Sequence, residues 1–124
     1  MMRPLKITST DYLNITRKGR KVTMKNFVYI FHVEETTVDT DESNAAWGKW
    51  FDELGDAVVD GGNPFAPDAE AQIKNGVVTM DKTTAAGYTV VKATDLKKAV
   101  EMAMTCPMAN TPNCFVSVYE TMPM

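Results

Sequence analysis

The sequence predicts an α+β fold in which an antiparallel sheet is covered on one face by two helices. Three observations support this fold class. The segments NFVYIFHV, GYTVVKA and CFVSVYET are short and rich in β-branched and aromatic residues, which is typical of strands. Two longer segments carry apolar residues three and four apart, the spacing of a helix with one buried side. An Asn-Gly pair between two β-rich segments favours a hairpin. The predicted strands and helices follow one another along the chain as in a split βαβ arrangement.

The first strand is predicted over residues 26–33 and has apolar residues on both faces. Alternation places Phe27, Tyr29, Phe31 and Val33 on one face and Val28, Ile30 and His32 on the other. A polar loop follows over residues 34–42. A helix is then predicted from an N-cap at Ser43 or Asn44 to about Val59. Its apolar stripe consists of Trp47, Trp50, Phe51, Leu54 and Val58.

The second half of the chain repeats the alternation of strand and helix. Gly61 and Gly62, followed by Pro64, are expected to end the first helix. The pair Asn75-Gly76 predicts a hairpin turn between residues 72–73 and 77–78. A strand is predicted over residues 87–93 and a last strand over residues 114–121. Between them we expect a helix from a cap at Thr94 or Asp95 to about Cys106, with its inward residues at Leu96, Ala99, Val100 and Ala103.

Length and composition fit one soluble domain with its own core. The chain has 124 residues, of which 44% are hydrophobic and 23% charged. No apolar stretch approaches the roughly 20 residues of a membrane span, and no apolar stretch typical of a secretory signal follows the first basic residues. Two cysteines do not make a disulfide scaffold, which favours a reducing compartment. We therefore expect a cytoplasmic protein without a membrane partner.

The net charge of −3 is distributed unevenly. Residues 1–25 carry seven basic and one acidic side chain, whereas the remaining 99 residues carry six basic and fifteen acidic ones. Residues 1–23 are predicted to be a basic tail, either disordered or an over-extended start, and residues 24–124 to be the domain. The alternative interpretations of the tail are a basic arm that binds nucleic acid or an acidic surface, and a transit peptide. The acidic domain itself is not expected to bind nucleic acid.

One face of the predicted sheet would be left without helices. On that face the first strand offers Val28 and Ile30, and the last strand is apolar on both sides. An uncovered apolar surface is typical of an association site. The sequence therefore predicts a homodimer that packs sheet against sheet.

The chain resembles the YCII-related family, including its DGPF-domain branch. The resemblance spans residues 24–124, and its most specific pieces are Gly61-Gly62-Asn63-Pro64, the Gly87-Tyr88 strand before an Asp-Leu-led helix, and Cys106-Pro107. It implies a ferredoxin-like protomer that pairs into a dimeric α/β barrel. Some members are regarded as enzymes that use a His and Asp pair, and one relative is a dehydrochlorinase of a substituted hydroquinone.

This chain departs from the family patterns at two places. The DGPF tetrapeptide is replaced by Met80-Asp81-Lys82-Thr83. Another branch of the family carries a histidine near the start of the first helix. At that position this chain has Asn44 or Ala45. Glu53 matches the family's acidic position, but its histidine partner is absent.

His32 is the only histidine and so the only candidate imidazole for acid/base chemistry. A nearby carboxylate would orient it, and Glu53, Asp52 and Asp60 are the candidates. The alternative interpretation is a histidine at a strand end that contacts only backbone or water.

Aromatic residues suggest a ligand pocket. Trp47 and Trp50 could form a stacking platform, with hydroxyl groups from Tyr29 and Tyr88 and a rim at Asn63. The alternative is that these side chains form the core. Cys106, Cys114 and His32 do not have metal-ligand spacing, and no nucleotide-binding motif occurs, so we expect neither a metal nor a cofactor.

Two functions fit these residues. The favoured one is a non-catalytic small-molecule-binding or accessory module. The alternative is a cofactor-independent enzyme that performs lyase- or isomerase-type proton transfer or elimination on a small aromatic or carbonyl compound, with His32 as acid/base.

Overall fold

The computed structural model describes residues 23–34 and 41–123 and has an α+β fold. It contains a four-stranded antiparallel sheet, two α-helices and a separate hairpin. The elements in chain order are β1 (Lys25–Val33), α1 (Asp41–Leu54), β2 (Val58–Asp60), β3 (Gln72–Lys74), β4 (Val77–Thr79), β5 (Ala85–Ala93), α2 (Leu96–Ala103) and β6 (Cys114–Glu120). Short 3-10 turns span Gly55–Ala57 and Pro107–Asn110. The sheet does not close into a barrel within the described residues.

The strand order across the sheet is β2-β5-β1-β6. β1 pairs antiparallel with β5, from Lys25 opposite Ala93 to His32 opposite Ala85. On its other side β1 pairs antiparallel with β6. A strand with a neighbour on each side and apolar residues on both faces belongs in the middle of a sheet, and β1 lies there.

Both helices cover the same face of this sheet. Tyr29 on β1 is fully buried, and its hydroxyl donates a hydrogen bond of 2.5 Å to the backbone oxygen of Ala99 on α2. Its ring lies 5.9 Å from that of Trp50 on α1. Burial raises the pKa of Tyr29 well above its usual value. One side chain thus connects the central strand to both helices.

The first helix ends earlier than the apolar pattern predicts. α1 stops at Leu54, and Gly55 has a φ of 53°. That left-handed conformation is the usual way a glycine ends a helix. Val58, predicted as the last residue of the helical stripe, instead belongs to β2 and pairs with Val91. α1 also begins at Asp41, so the predicted cap residues Ser43 and Asn44 lie within the helix.

The second helix is capped by one of the two predicted residues. The Asp95 side chain accepts a hydrogen bond of 2.7 Å from the backbone nitrogen of Lys98. α2 ends at Ala103, and Pro107 opens the following 3-10 turn. Val100, predicted to point inward, is 39% exposed, whereas Met102 packs against the core.

The hairpin prediction is confirmed. Asn75 and Gly76 both have positive φ, 53° and 78°, as a two-residue type I′ turn requires. Lys74 pairs with Val77 across this turn. The hairpin forms its own two-stranded sheet and exposes the side chains of Ile73, Val77 and Val78.

Two predicted segments fall largely outside the described residues. These are the basic tail, of which residues 1–22 are not described, and the polar loop, of which residues 35–40 are not described. Among the described helices, none combines the length and the apolar character that crossing a membrane requires.

Candidate functional site

A cleft of about 350 Å³ lies between α1, β5 and the segment that follows β2. We call it the aromatic cleft. Its lining consists of Phe31 from β1, Asn44, Trp47 and Phe51 from α1, residues 61–64, residues 86–89 of β5, and Met108. Its position follows from the fold, because α1 and residues 61–64 both lie against the sheet near the same part of β5.

Three aromatic side chains line this cleft. Trp47 is half-buried and packs edge-on against Phe31, with ring centroids 5.1 Å apart and planes at 82°. Its centroid lies 6.2 Å from that of Phe51, one turn further along α1. Trp50 supports the group from the core, 5.6 Å from Trp47. Contacts of this kind hold Trp47 in place while part of it remains exposed.

The opposite rim is a segment of backbone held closely against β5. Tyr88 donates its backbone N–H to the oxygen of Asn63, at 3.3 Å, and the Thr89 hydroxyl donates to the oxygen of Gly61, at 3.0 Å. A side chain could not replace the hydrogen at Gly62, since a Cβ there would lie 1.7 Å from the Tyr88 oxygen. The approach of two backbones explains why the chain has glycine at this position.

Asp60 fixes the same rim. Its Oδ1 accepts a hydrogen bond of 2.8 Å from the backbone nitrogen of Gly62, and its Oδ2 accepts one of 3.3 Å from the Tyr88 hydroxyl. The residue predicted as a partner for His32 therefore makes structural contacts at the edge of the cleft.

The predicted pocket residues divide into two groups. Trp47, Asn63 and Tyr88 line the aromatic cleft. Tyr29 and Trp50 lie in the core, where Trp50 donates its indole N–H to the backbone oxygen of Met102 at 2.9 Å. Tyr29 pairs with Thr89, the neighbour of Tyr88, so the two tyrosine side chains point to opposite faces of the sheet. The expected sharing of their hydroxyl groups in one pocket is therefore not observed.

His32 lies on the sheet face that carries no helix. Its Nδ1 is 2.8 Å from the Thr84 hydroxyl oxygen, and its Nε2 is 3.0 Å from the Ser117 hydroxyl oxygen. Its ring stacks on Phe115, with centroids 4.2 Å apart and planes within 7° of parallel. A hydroxyl group can donate or accept, so this arrangement suits either neutral tautomer.

The structure does not bring the three proposed acid/base residues together. Asp60 pairs with Val90, whereas His32 pairs with Ala85, five residues away along β5. At about 3.3 Å per residue, that separation is roughly 16 Å. Glu53 is exposed on α1, against the other face of the sheet. Within the described residues, His32 has hydroxyl partners and an aromatic neighbour but no carboxylate partner.

A second, wider groove of about 950 Å³ is lined by Val33, Glu34, residues 64–71 and residues 82–86. Three of its four charged side chains, those of Asp68, Glu70 and Lys82, make contacts within the groove. Asp68 forms an ion pair with Lys82, which lowers the pKa of that carboxyl. Glu70 accepts hydrogen bonds from the backbone and hydroxyl of Thr83, at 2.8 and 2.5 Å, which lowers its pKa too. These carboxylates hold the loops to each other.

The two cysteines differ in burial. Cys106 is buried, and burial raises the pKa of its thiol to about 11, whereas Cys114 is only partly buried. In the part of the chain that the structure describes, three or more His, Cys, Asp or Glu side chains do not gather where they could hold a metal ion.

Sequence reasoning missed several residues of the aromatic cleft and of the surroundings of His32. Asn44, Thr89 and Met108 line the cleft, and Thr84 and Ser117 contact His32. Alternation along the first strand could have assigned Phe31 to the cleft side. Thr84 and Ser117 carry no such signal, because they lie 52 and 85 residues from His32. No protein-family model matches the chain, and no curated protein matches it significantly.

Proposed function

We propose that this protein is a small-molecule-binding module and that the aromatic cleft is its ligand site. The observation that carries the proposal is the convergence of Phe31, Trp47 and Phe51 on one cleft of about 350 Å³. This volume lies at the lower end of the range of roughly 300–1,000 Å³ that is common for ligand sites. Aromatic walls with a few polar groups are the usual composition of such sites.

The construction of the cleft supports binding without a large rearrangement. Phe31 belongs to the central strand, and Trp47 is packed between Phe31 and Phe51. The rim at residues 61–64 is hydrogen-bonded to β5. A ligand site that is already formed loses less conformational entropy on binding than one that must be ordered by its ligand.

The alternative function is an enzyme that uses His32 as acid/base. It would have to act on the opposite face of the sheet, because His32 follows Phe31 directly and points away from the cleft. The hydroxyl groups of Thr84 and Ser117 orient its ring. Hydroxyl groups do not stabilise an imidazolium as a carboxylate does. The geometry therefore favours binding at the cleft.

The test is a thermal-shift screen of small aromatic compounds, followed by calorimetric titration of each hit. A compound that binds the folded protein raises its Tm. We expect Trp47→Leu to weaken binding at least tenfold, because it removes the ring that joins the two others. Phe65→Leu is the matched control, since Phe65 lines the wider groove and not the cleft. His32→Ala should also leave the affinity unchanged.

Two outcomes would contradict the proposal. In one, no aromatic compound raises the Tm of the wild-type protein. In the other, Trp47→Leu and Phe65→Leu bind every hit as the wild type does. A hit whose binding or turnover depends on His32 would support the enzyme instead.

We also propose that the protomer is ferredoxin-like and belongs with the YCII-related proteins. The support is topological. α1 connects β1 to β2, and α2 connects β5 to β6. In each pair one strand lies between the two connected strands. This is the split βαβ arrangement made twice.

We further propose that two such protomers pair through their uncovered sheet faces to form a dimeric α/β barrel. This open face is defined by Val28, Ile30, His32, Val90, Phe115 and Tyr119. Phe115 and Tyr119 are exposed on it. Both nitrogens of His32 are hydrogen-bonded inside the protomer, so covering the face would leave neither without a partner. A largely apolar face whose histidine is already hydrogen-bonded suits burial against a second copy.

A further inference from the structure

The described lining of the aromatic cleft carries no charged side chain, although Asp60 lies at its edge. Among the described residues that line it, none is Asp, Glu, Lys, Arg or His. Tyr88 is also a lining residue, but its side chain points to the face opposite that of Tyr29 and Phe31, and its hydroxyl donates a hydrogen bond of 3.3 Å to Asp60. This composition contrasts with the whole chain, in which 23% of the residues are charged.

The polar groups of the cleft are neutral hydrogen-bonding groups. The side-chain amides of Asn44 and Asn63 each offer both a donor and an acceptor. Both residues are exposed, so their amides lie at the mouth of the cleft. The Thr89 hydroxyl is already used by the Gly61 oxygen. A ligand can therefore find paired donors and acceptors at the mouth and aromatic surface further in.

A charged ligand would bind weakly at this site. Moving a charge from water to an apolar site without an opposite charge costs much more than moving a neutral polar group that finds a hydrogen bond. An anion would in addition approach a domain whose residues 26–124 carry nine more acidic than basic side chains. A cation would gain a contact with an aromatic face, but it would find no carboxylate partner among the described lining residues.

We infer that the ligand of the aromatic cleft is an uncharged, planar aromatic molecule bearing a carbonyl or amide group. The inference rests on the proposed function and specifies its ligand class. The ring contacts Trp47 and its aromatic neighbours, and the neutral polar group pairs with the amides of Asn44 and Asn63.

Three probes of nearly equal shape test the role of charge. They are naphthalene-2-carboxamide, naphthalene-2-carboxylate and 2-naphthylmethylammonium, titrated into the full-length protein at pH 7.5 and followed by calorimetry. The carboxamide and carboxylate differ almost only in charge. We expect the carboxamide to bind at least tenfold more tightly than either ion. Equal or tighter binding of one of the ions, or no binding of the carboxamide, overturns the inference.

A charge placed in the cleft provides the matched variant. Asn63→Asp should weaken the binding of the carboxylate and strengthen that of the ammonium probe, each by severalfold. Asn26→Asp adds the same charge at an exposed position of β1 outside the cleft, and it should change neither. If Asn63→Asp behaves like Asn26→Asp, the inference fails.

Failure of the inference can be separated from failure of the proposed function. If an ion binds best and Trp47→Leu weakens it, the cleft is a ligand site for a charged molecule, and only the inferred ligand class is wrong. If all three probes bind and Trp47→Leu affects none of them, the aromatic cleft is not the site, and the proposed function fails as well.

Discussion

Phe31 and His32 are adjacent in sequence and serve different surfaces. Phe31 lines the aromatic cleft, whereas His32 lies on the open face and stacks on Phe115. Alternation along a strand makes this separation unavoidable. A ligand held against Phe31 is therefore kept from the only imidazole of the chain by the sheet itself.

A second residue-scale prediction concerns Cys106, which should make the free energy of unfolding fall as the pH rises in the alkaline range. Burial raises the pKa of its thiol from 9.0 to about 11. Above pH 9 the unfolded chain loses this proton while the folded protein keeps it, so the free energy of unfolding falls until about pH 11. The contribution of the protonated Cys106 thiol to the free energy of unfolding is fully present below pH 9.

The measurement is denaturant unfolding of the wild type and of Cys106→Ala between pH 8 and 11. The variant lacks the thiol, so the stability advantage of the wild type should shrink as the pH rises. Each unit between the two pKa values is worth about 1.4 kcal/mol. We expect a decrease on the order of 2 kcal/mol over this pH range. A constant difference across this pH range would contradict the assignment.

The residue-scale predictions from sequence succeeded where the signal was local. The alternation in NFVYIFHV placed Phe27, Tyr29 and Phe31 on one face of the strand, and these three are buried on the face that the helices cover. The partners of His32 could not be predicted, because they depend on the register of β6 and on a residue that precedes β5. Register is set by pairing over the whole sheet and not by neighbouring residues.

At the scale of elements, the rim at residues 61–64 depends on two backbones that nearly touch. Gly62 has a φ of 76°, and a Cβ there would collide with the Tyr88 oxygen. We therefore expect Gly62→Ala to lower the free energy of unfolding by at least about 1–2 kcal/mol, from strain at positive φ and displacement of β5 or the rim.

Gly48→Ala is the matched control for this variant. Gly48 lies inside α1, and a Cβ there would meet no atom within 4 Å. Alanine is favoured over glycine in a helix interior by roughly 0.5–1 kcal/mol, so this variant should be slightly more stable than the wild type. Chemical denaturation of both variants gives the comparison, and equal stability of the two would show that the close approach at Gly62 is not important.

The end of α1 shows why one element was predicted wrongly. Leu54 and Val58 continue the helical spacing, and only Gly55 interrupts it. A single glycine inside an apolar pattern is a weak signal. What converts Val58 to a strand residue is its pairing with Val91, more than thirty residues later. The hairpin was predicted correctly because its turn residues, Asn75 and Gly76, specify the turn by themselves.

At the scale of the whole molecule, the two faces of the sheet differ in what covers them. One face packs against α1 and α2 and provides the core and the cleft. The other face meets no helix in the described part of the chain and carries Val28, Ile30 and Val90 beside exposed aromatic rings. The sequence predicted this asymmetry because its first strand is apolar on both sides, which one layer of helices cannot bury.

The proposed dimer makes a specific prediction at this scale. Tyr119 is 57% exposed in the protomer and lies on the edge strand β6, beside Val28 on the open face. Tyr119→Lys should therefore have little effect on the folding of the protomer but should bury a charge if two open faces meet. We expect the wild type to sediment as a dimer at micromolar concentration and this variant as a monomer.

Ile73→Lys is the control that separates the open face from exposed apolar surface in general. Ile73 is 74% exposed, more than Tyr119, but it lies in the separate β3–β4 hairpin. If dimerisation depends on the open face, Ile73→Lys remains dimeric, because it removes an apolar side chain without placing a charge between the sheets. A monomeric wild type, or a Tyr119→Lys variant that still sediments as a dimer, would exclude pairing through this face. Loss of the dimer in Ile73→Lys alone would instead locate the contact at the hairpin, where Ile73, Val77 and Val78 form another exposed apolar surface.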